Sequence, residues 1–293
     1  MKRCGLTNND IAVSAARDHG MSRGSDLGRR TLAACVFVPV VLLLAWWEGW
    51  ALFALVLIIV SRASWEFFHL ATEAGHQPAR WLGILLCVGW CLYVDLVGFD
   101  NLHVLLLGLA LLCLLAALRS GVRGFTTNAA TTMFGVVYVG VLGSGQLWIA
   151  RDGHIGVISG PLICIVFMCV WLTDSAAYFG GRAWGVRKLL PSVSPAKTRV
   201  GFVTGLIGGL VPLVVQPLVP QVSLLELAGL LLVVSLGGQV GDLVESALKR
   251  DFGVKDAPGI IPGHGGFLDR FDSYLLAFPL TYLYFWVFAN PAP

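Results

Sequence analysis

Charge is scarce in this chain. Only 13% of its 293 residues are Asp, Glu, Lys or Arg, where a soluble domain carries about 25%. So few charges cannot cover a water-facing surface, and the solvent for most of the chain is lipid. The net charge of +3 is small, and the basic residues form no stripe, which argues against a nucleic-acid partner. The seven cysteines contain no CxxC pair and no zinc-ligand spacing. Cys87 and Cys91 are spaced to share a helix face, as apolar membrane residues would. "LAAC" at 32 to 35 resembles a lipoprotein cleavage box, but "GSDLGRRT" before it lacks the apolar core that a secretory signal needs. Residues 1–30 read as a polar cytoplasmic tail.

What is abundant is apolar sequence, 57% of the residues, with mean hydropathy +0.79. A membrane-crossing helix needs about 20 largely apolar residues. Nine segments qualify: 31–47, 49–61, 81–98, 102–118, 131–150, 157–179, 201–219, 224–241 and 273–290. The expected fold is therefore an all-α polytopic membrane protein of about nine transmembrane helices. The positive-inside rule orients it. With the N-terminus in the cytoplasm, the tail and the loops 62–80, 119–130, 180–200 and 242–272 hold 19 of the 20 Lys and Arg; only Arg151 falls outside. The C-terminus is then outside, and the aqueous chemistry belongs to the cytoplasmic face. The chain divides near residue 150. An N-terminal bundle, 31–150, has scattered polar residues. A C-terminal part, 151–293, concentrates them in two cytoplasmic loops.

Three clusters in that second part carry chemistry. In "GDLVESALKRDFGVKD" (241–256) no proline interrupts the helix, so Asp242, Glu245, Ser246 and Lys249 fall on one face. A solvated helix end with a Glu245–Lys249 ion pair is the plainer account, but Asp242 directly follows an apolar run, where a carboxylate is expensive. In "PGHGGFLDRFD" (262–272), glycines let the backbone approach a ligand and its amides face an anion. Asp269 and Asp272 follow one turn apart, and carboxylates are the ligands Mg²⁺ prefers. A Gly-rich turn before an acidic helix start would look the same. In "WLTDSAAYFGGRAWGVRKLLPSVSPAKT" (171–198), Asp174 lies inside an apolar span near its cytoplasmic end, and Ser194, Lys197 and Thr198 lie in a basic loop suited to polyphosphate. Attraction of that loop to anionic headgroups is the competing account. Together the clusters fit phosphoryl or nucleotidyl transfer, where positioning and charge neutralisation do most of the catalysis.

The stretch Ser246 to Asp272 resembles the signature of phosphatidate cytidylyltransferases, through Ser246, Lys249, Arg250, Lys255, Asp256, Pro262, His264, Gly265, Gly266, Asp269, Arg270 and Asp272. "DSAAYFGGR" and "SPAKT" are also similar to family segments, and the resemblance covers about residues 165 to 290. It implies that phosphatidate and CTP give CDP-diacylglycerol and pyrophosphate in phospholipid biosynthesis, in a bacterial inner membrane with the active site facing the cytoplasm. It implies Mg²⁺ on Asp242 and Asp269, supported by Asp272, as two metals or as Mg²⁺ with K⁺. By the same match Asp242, Asp269, Lys249 and His264 are expected to be catalytic. Arg250, Lys255, Asp256, Lys197, Ser194, Thr198, Asp174, Gly265, Gly266 and Arg270 are expected around the substrates, and family members are often homodimers. The chain departs from the family's "SPKKTWEG": Ala196, Arg199 and Val200 stand where lysine, tryptophan and glutamate are usual.

Other readings compete. A transporter would place its polar residues near mid-membrane, often on broken helices in related halves, and no such repeat is evident. A CTP-dependent polyprenol-type kinase shares the chemistry of the clusters. The DG…AR…G…D…D pattern of CDP-alcohol phosphotransferases is absent.

Overall fold

The structure, a computed structural model, describes residues 37–152, 155, 159–254 and 266–288. The chain forms two compact units, Met1–Leu43 and Leu44–Pro293. In the first, the described residues are the start of a helix, α1 (Phe37–Trp47).

The second unit is built from helices that follow the apolar segments: α2 (Gly49–Glu73), α3 (Arg80–Leu96), α4 (Leu102–Ala117), α5 (Phe125–Gly135), α6 (Gly145–Arg151), α7 (Ser159–Trp184), α8 (Arg199–Gly208), α9 (Leu224–Asp251), the short α10 (Leu268–Phe271) and α11 (Tyr274–Phe288). Between α5 and α6 the chain stays helical through a π turn, Val136–Val141, and a 3₁₀ turn, Leu142–Ser144. A 3₁₀ run, Val211–Leu218, similarly extends α8. Five helical stretches are long and apolar enough to cross a membrane: Gly49–Glu73, Phe125–Arg151, Ser159–Trp184, Arg199–Leu218 and Leu224–Asp251. The protein is an all-α membrane protein in its framework. Of the other four expected spans, two fall on the shorter apolar helices Phe37–Trp47 and Leu102–Ala117 and two on α3 and α11, all shorter than a full span among the described residues.

Two boundaries differ from expectation in ways that matter to function. The segment 62–73 is helix, not loop. "SRASWEFFHLATE" contains no breaker, and the polar side chain of Glu66 turns inward, fully buried, instead of ending the helix. Likewise α7 runs past 179 to Trp184, so Asp174 lies about three turns from the helix end.

The loop after α7 is also more ordered than its composition suggested. Lys188–Leu190 (β1) pairs antiparallel with Ser194–Thr198 (β2), with Lys188 opposite Thr198 and Leu190 opposite Ser194. The hairpin ends directly in α8, whose first turn is capped by the Thr198 hydroxyl, accepting from the Gly201 amide at 3.0 Å. At the other end of the bundle, α9 opens on a capping box. Ser223 accepts from the Glu226 amide, and the Glu226 carboxylate accepts from the Ser223 amide.

Glycine lets these helices approach closely, as small residues do in membrane bundles. A Cβ at Gly180 would lie 2.1 Å from the Thr204 hydroxyl, which seats α7 against α8. A Cβ at Gly241 would lie 2.7 Å from the Asp272 carbonyl. That contact brings the chain entering α11 against α9, one residue before Asp242.

Candidate active site

The polar residues gather where α7 and α9 end and where α8 and α11 begin. The face expected on α9 is present. Lys249 lies 2.7 Å from Glu245, and Ser246 donates to Asp242 at 3.4 Å. Each end of this face is tied to another element. Lys197, on β2, lies 2.7 Å from Asp242. Lys249 also bonds Asp269, on α10, at 2.8 Å. The hairpin is held from α9 as well, since Arg250 donates to the Val193 carbonyl at 3.4 Å.

Behind these pairs lies a surplus of acid. Asp174 interacts electrostatically with Asp242 and Lys197, and Asp272 with Asp242, Asp174 and Lys197. Asp272 is buried, with one carboxylate oxygen accepting from the Ser273 amide at 2.6 Å. Burial pushes its carboxyl up to about 8, and neighbouring Asp242 adds to the rise. Asp269 is pushed up by burial too. The Glu245 carboxyl and Lys249 ammonium bonded to it, with the Gly266 amide, outweigh that and hold it below its ordinary value. Gly266, two residues before α10, thus contributes an amide.

The other expected site residues fall into three groups. Ser194 and Thr198 are on β2, and the Thr198 hydroxyl is spent on capping α8. Arg270 is exposed on α10. Lys255, Asp256, His264 and Gly265 lie outside the described residues. Two residues of the N-terminal half were not foreseen. Glu66 on α2 accepts from the Leu268 amide at 2.8 Å, one residue before Asp269. Tyr138, on the π turn, has a buried hydroxyl with no hydrogen-bond partner among the described residues, and interacts electrostatically with Asp272, Glu245 and Asp242. A carboxylate in an apolar stretch is a sequence signal that could have pointed to Glu66; Tyr138 carries none, since its π turn shows only in the fold.

Among the described residues, no three His, Cys, Asp or Glu side chains converge as a metal cage. Mg²⁺ does not need one, because it is usually bound by one or two carboxylates, with water and substrate phosphates completing its shell. Asp174 and Asp272 both repel Asp242 electrostatically, a repulsion of the sign that a divalent cation would relieve. Lys197 and Lys249 already place positive charge against Asp242 and Asp269.

The fold and this grouping define a helical membrane protein in which acidic and basic side chains are paired between β2, α9 and α10. The chain belongs to the Cytidylyltransferase family, whose model matches residues 28–288. It is 45% identical over 155 residues to the phosphatidate cytidylyltransferase of Staphylococcus saprophyticus subsp. saprophyticus, a match covering 52% of this chain and 57% of that relative. Phosphatidate cytidylyltransferases of Staphylococcus epidermidis and Staphylococcus aureus are each 44% identical over the same length. The chain spans 57% of the length of these curated relatives in the matched region.

Proposed function

We propose that this protein transfers the cytidylyl group of CTP to phosphatidate, giving CDP-diacylglycerol and pyrophosphate. The observation that carries the proposal is the paired arrangement of Lys197 with Asp242 and Lys249 with Asp269, from three separate elements. Such pairs hold both signs of charge ready: carboxylates for a cation, ammoniums for phosphate oxygens. The names of the relatives support the same reading.

In this reading a phosphate oxygen of phosphatidate attacks the α-phosphorus of CTP, and pyrophosphate leaves. Lys197 and Lys249 turn from their carboxylates to the phosphates and neutralise them. Asp242 and Asp269, with Asp272 beside Asp242, would hold Mg²⁺, which when bound neutralises the charge that builds on the phosphoryl oxygens. Arg250 braces the hairpin so that Lys197 faces α9. The basic loops support a cytoplasmic location for this end by the positive-inside rule. Nine spans, a cytoplasmic N-terminus and a bacterial inner membrane complete the proposal.

The test is direct. The protein is purified in detergent and supplied with phosphatidate, labelled CTP and Mg²⁺. Labelled CDP-diacylglycerol is the expected product, and its absence across lipid and detergent conditions would overturn the assignment.

A further inference from the structure

Glu66 is a fully buried acid on a membrane-length helix of the N-terminal half, 202 residues from the group it binds. Its Oε2 accepts from the Leu268 amide at 2.8 Å. Its Oε1 faces Arg62 at 3.8 Å. The Arg62 guanidinium in turn stacks on Trp65, 5.0 Å from the ring centre, with Arg80 over the same ring at 5.3 Å.

Leu268 opens α10, a helix of four residues. Amides in a helix's first turn have no acceptor within the helix, and Phe267 at the cap has no side chain that could accept. Glu66 therefore supplies the cap from another part of the chain. The next residue is Asp269, bonded to Lys249. A second contact from α2 reinforces the attachment, because Phe67 meets Phe252, at the end of α9, edge-on at 5.8 Å. Adjacent residues of α2 thus hold the end of α9 and the start of α10, the two elements whose side chains Lys249 and Asp269 must meet.

We propose that Glu66 is a positioning residue of the cytidylyl-transfer site: by holding the Leu268 amide it fixes the turn from which Asp269 reaches Lys249 and the metal. This rests on the function proposed above. The N-terminal helices are on this account part of the catalytic apparatus and not only a membrane anchor.

The first test needs no substitution and no activity. In the full-length protein in detergent, hydrogen exchange is followed at the Leu268 amide. Protection of at least about tenfold over an open first-turn amide is expected. Exchange at the unprotected rate would overturn the clamp, whatever the enzyme's activity. The second test compares Glu66→Ala, which has no acceptor, with Glu66→Gln, which keeps one. Glu66→Ala should lose the Leu268 protection, bind Mn²⁺, used as a paramagnetic probe for Mg²⁺, about tenfold more weakly, and need correspondingly more Mg²⁺ for half-maximal rate. Glu66→Gln should stay within about threefold of the parent in all three. A folded Glu66→Ala protein with unchanged Mn²⁺ affinity would contradict the positioning role. Should that variant not fold, a Glu66→Gln protein with protected Leu268 but Mn²⁺ binding weakened as far as tenfold would contradict it as well. If the parent bound Mn²⁺ and protected Leu268 but made no CDP-diacylglycerol, the clamp would stand and the assigned reaction would fall.

Discussion

Lys249 bonds two carboxyls at once, Glu245 at 2.7 Å on its own helix and Asp269 at 2.8 Å on α10. It ties the end of α9 to the short helix α10. Glu245 is almost completely buried and Lys249 largely so. Removing one member of a buried pair leaves the other uncompensated, at about 3–5 kcal/mol. Lys249→Met should therefore lower the unfolding midpoint as well as abolish turnover. The double variant Lys249→Met with Glu245→Gln should recover part of the stability, since Asp269 still lacks its lysine, and none of the activity. Thermal unfolding followed beside product formation separates the two effects. Recovery of both together would make Lys249 a purely structural residue.

Thr198 makes a more local prediction. Its hydroxyl caps α8, and loss of such a cap costs about 0.5–2 kcal/mol. Thr198→Ala should lower stability by that amount, and Thr198→Ser should restore it. Because the same residue ends the strand that carries Lys197, the alanine variant should also raise the KM for CTP. An unchanged KM would separate the cap from the substrate site.

Tyr138 offers the opposite sign. A buried hydroxyl without a partner costs free energy, about 1–3 kcal/mol on desolvation. Tyr138→Phe should leave the substrate-free protein as stable or more stable by thermal unfolding. A marked loss of stability would mean that the hydroxyl is bonded in the folded protein.

Much of this architecture was legible in the amino-acid sequence, because lipid allows few alternatives to helices. The α9 face was readable from spacing alone: Asp242, Glu245, Ser246 and Lys249 do share one side, and the Glu245–Lys249 pair forms. What escaped was set by partners distant in the chain. Residues 62–80 were expected as a loop, and only the packing of α2 against α10 shows why an acid, Glu66, sits in a membrane-length helix. The β1–β2 hairpin was hidden in a basic, proline-containing stretch without strong alternation. Asp174 appeared shallow because α7 was expected to stop at residue 179, yet it continues through "GGRAW" to Trp184.

On the proposed function, Asp242 and Asp269, each held by its own lysine, are the acids on which cytidylyl transfer depends. The most direct measurement is Mg²⁺-dependent CDP-diacylglycerol formation by Asp242→Asn and Asp269→Asn, beside the parent, with folding checked by thermal unfolding. Both variants are expected to fold and to lose at least about a thousandfold in turnover, which corresponds to about 4 kcal/mol of transition-state stabilisation. Near-parental rates in both folded variants would contradict the account.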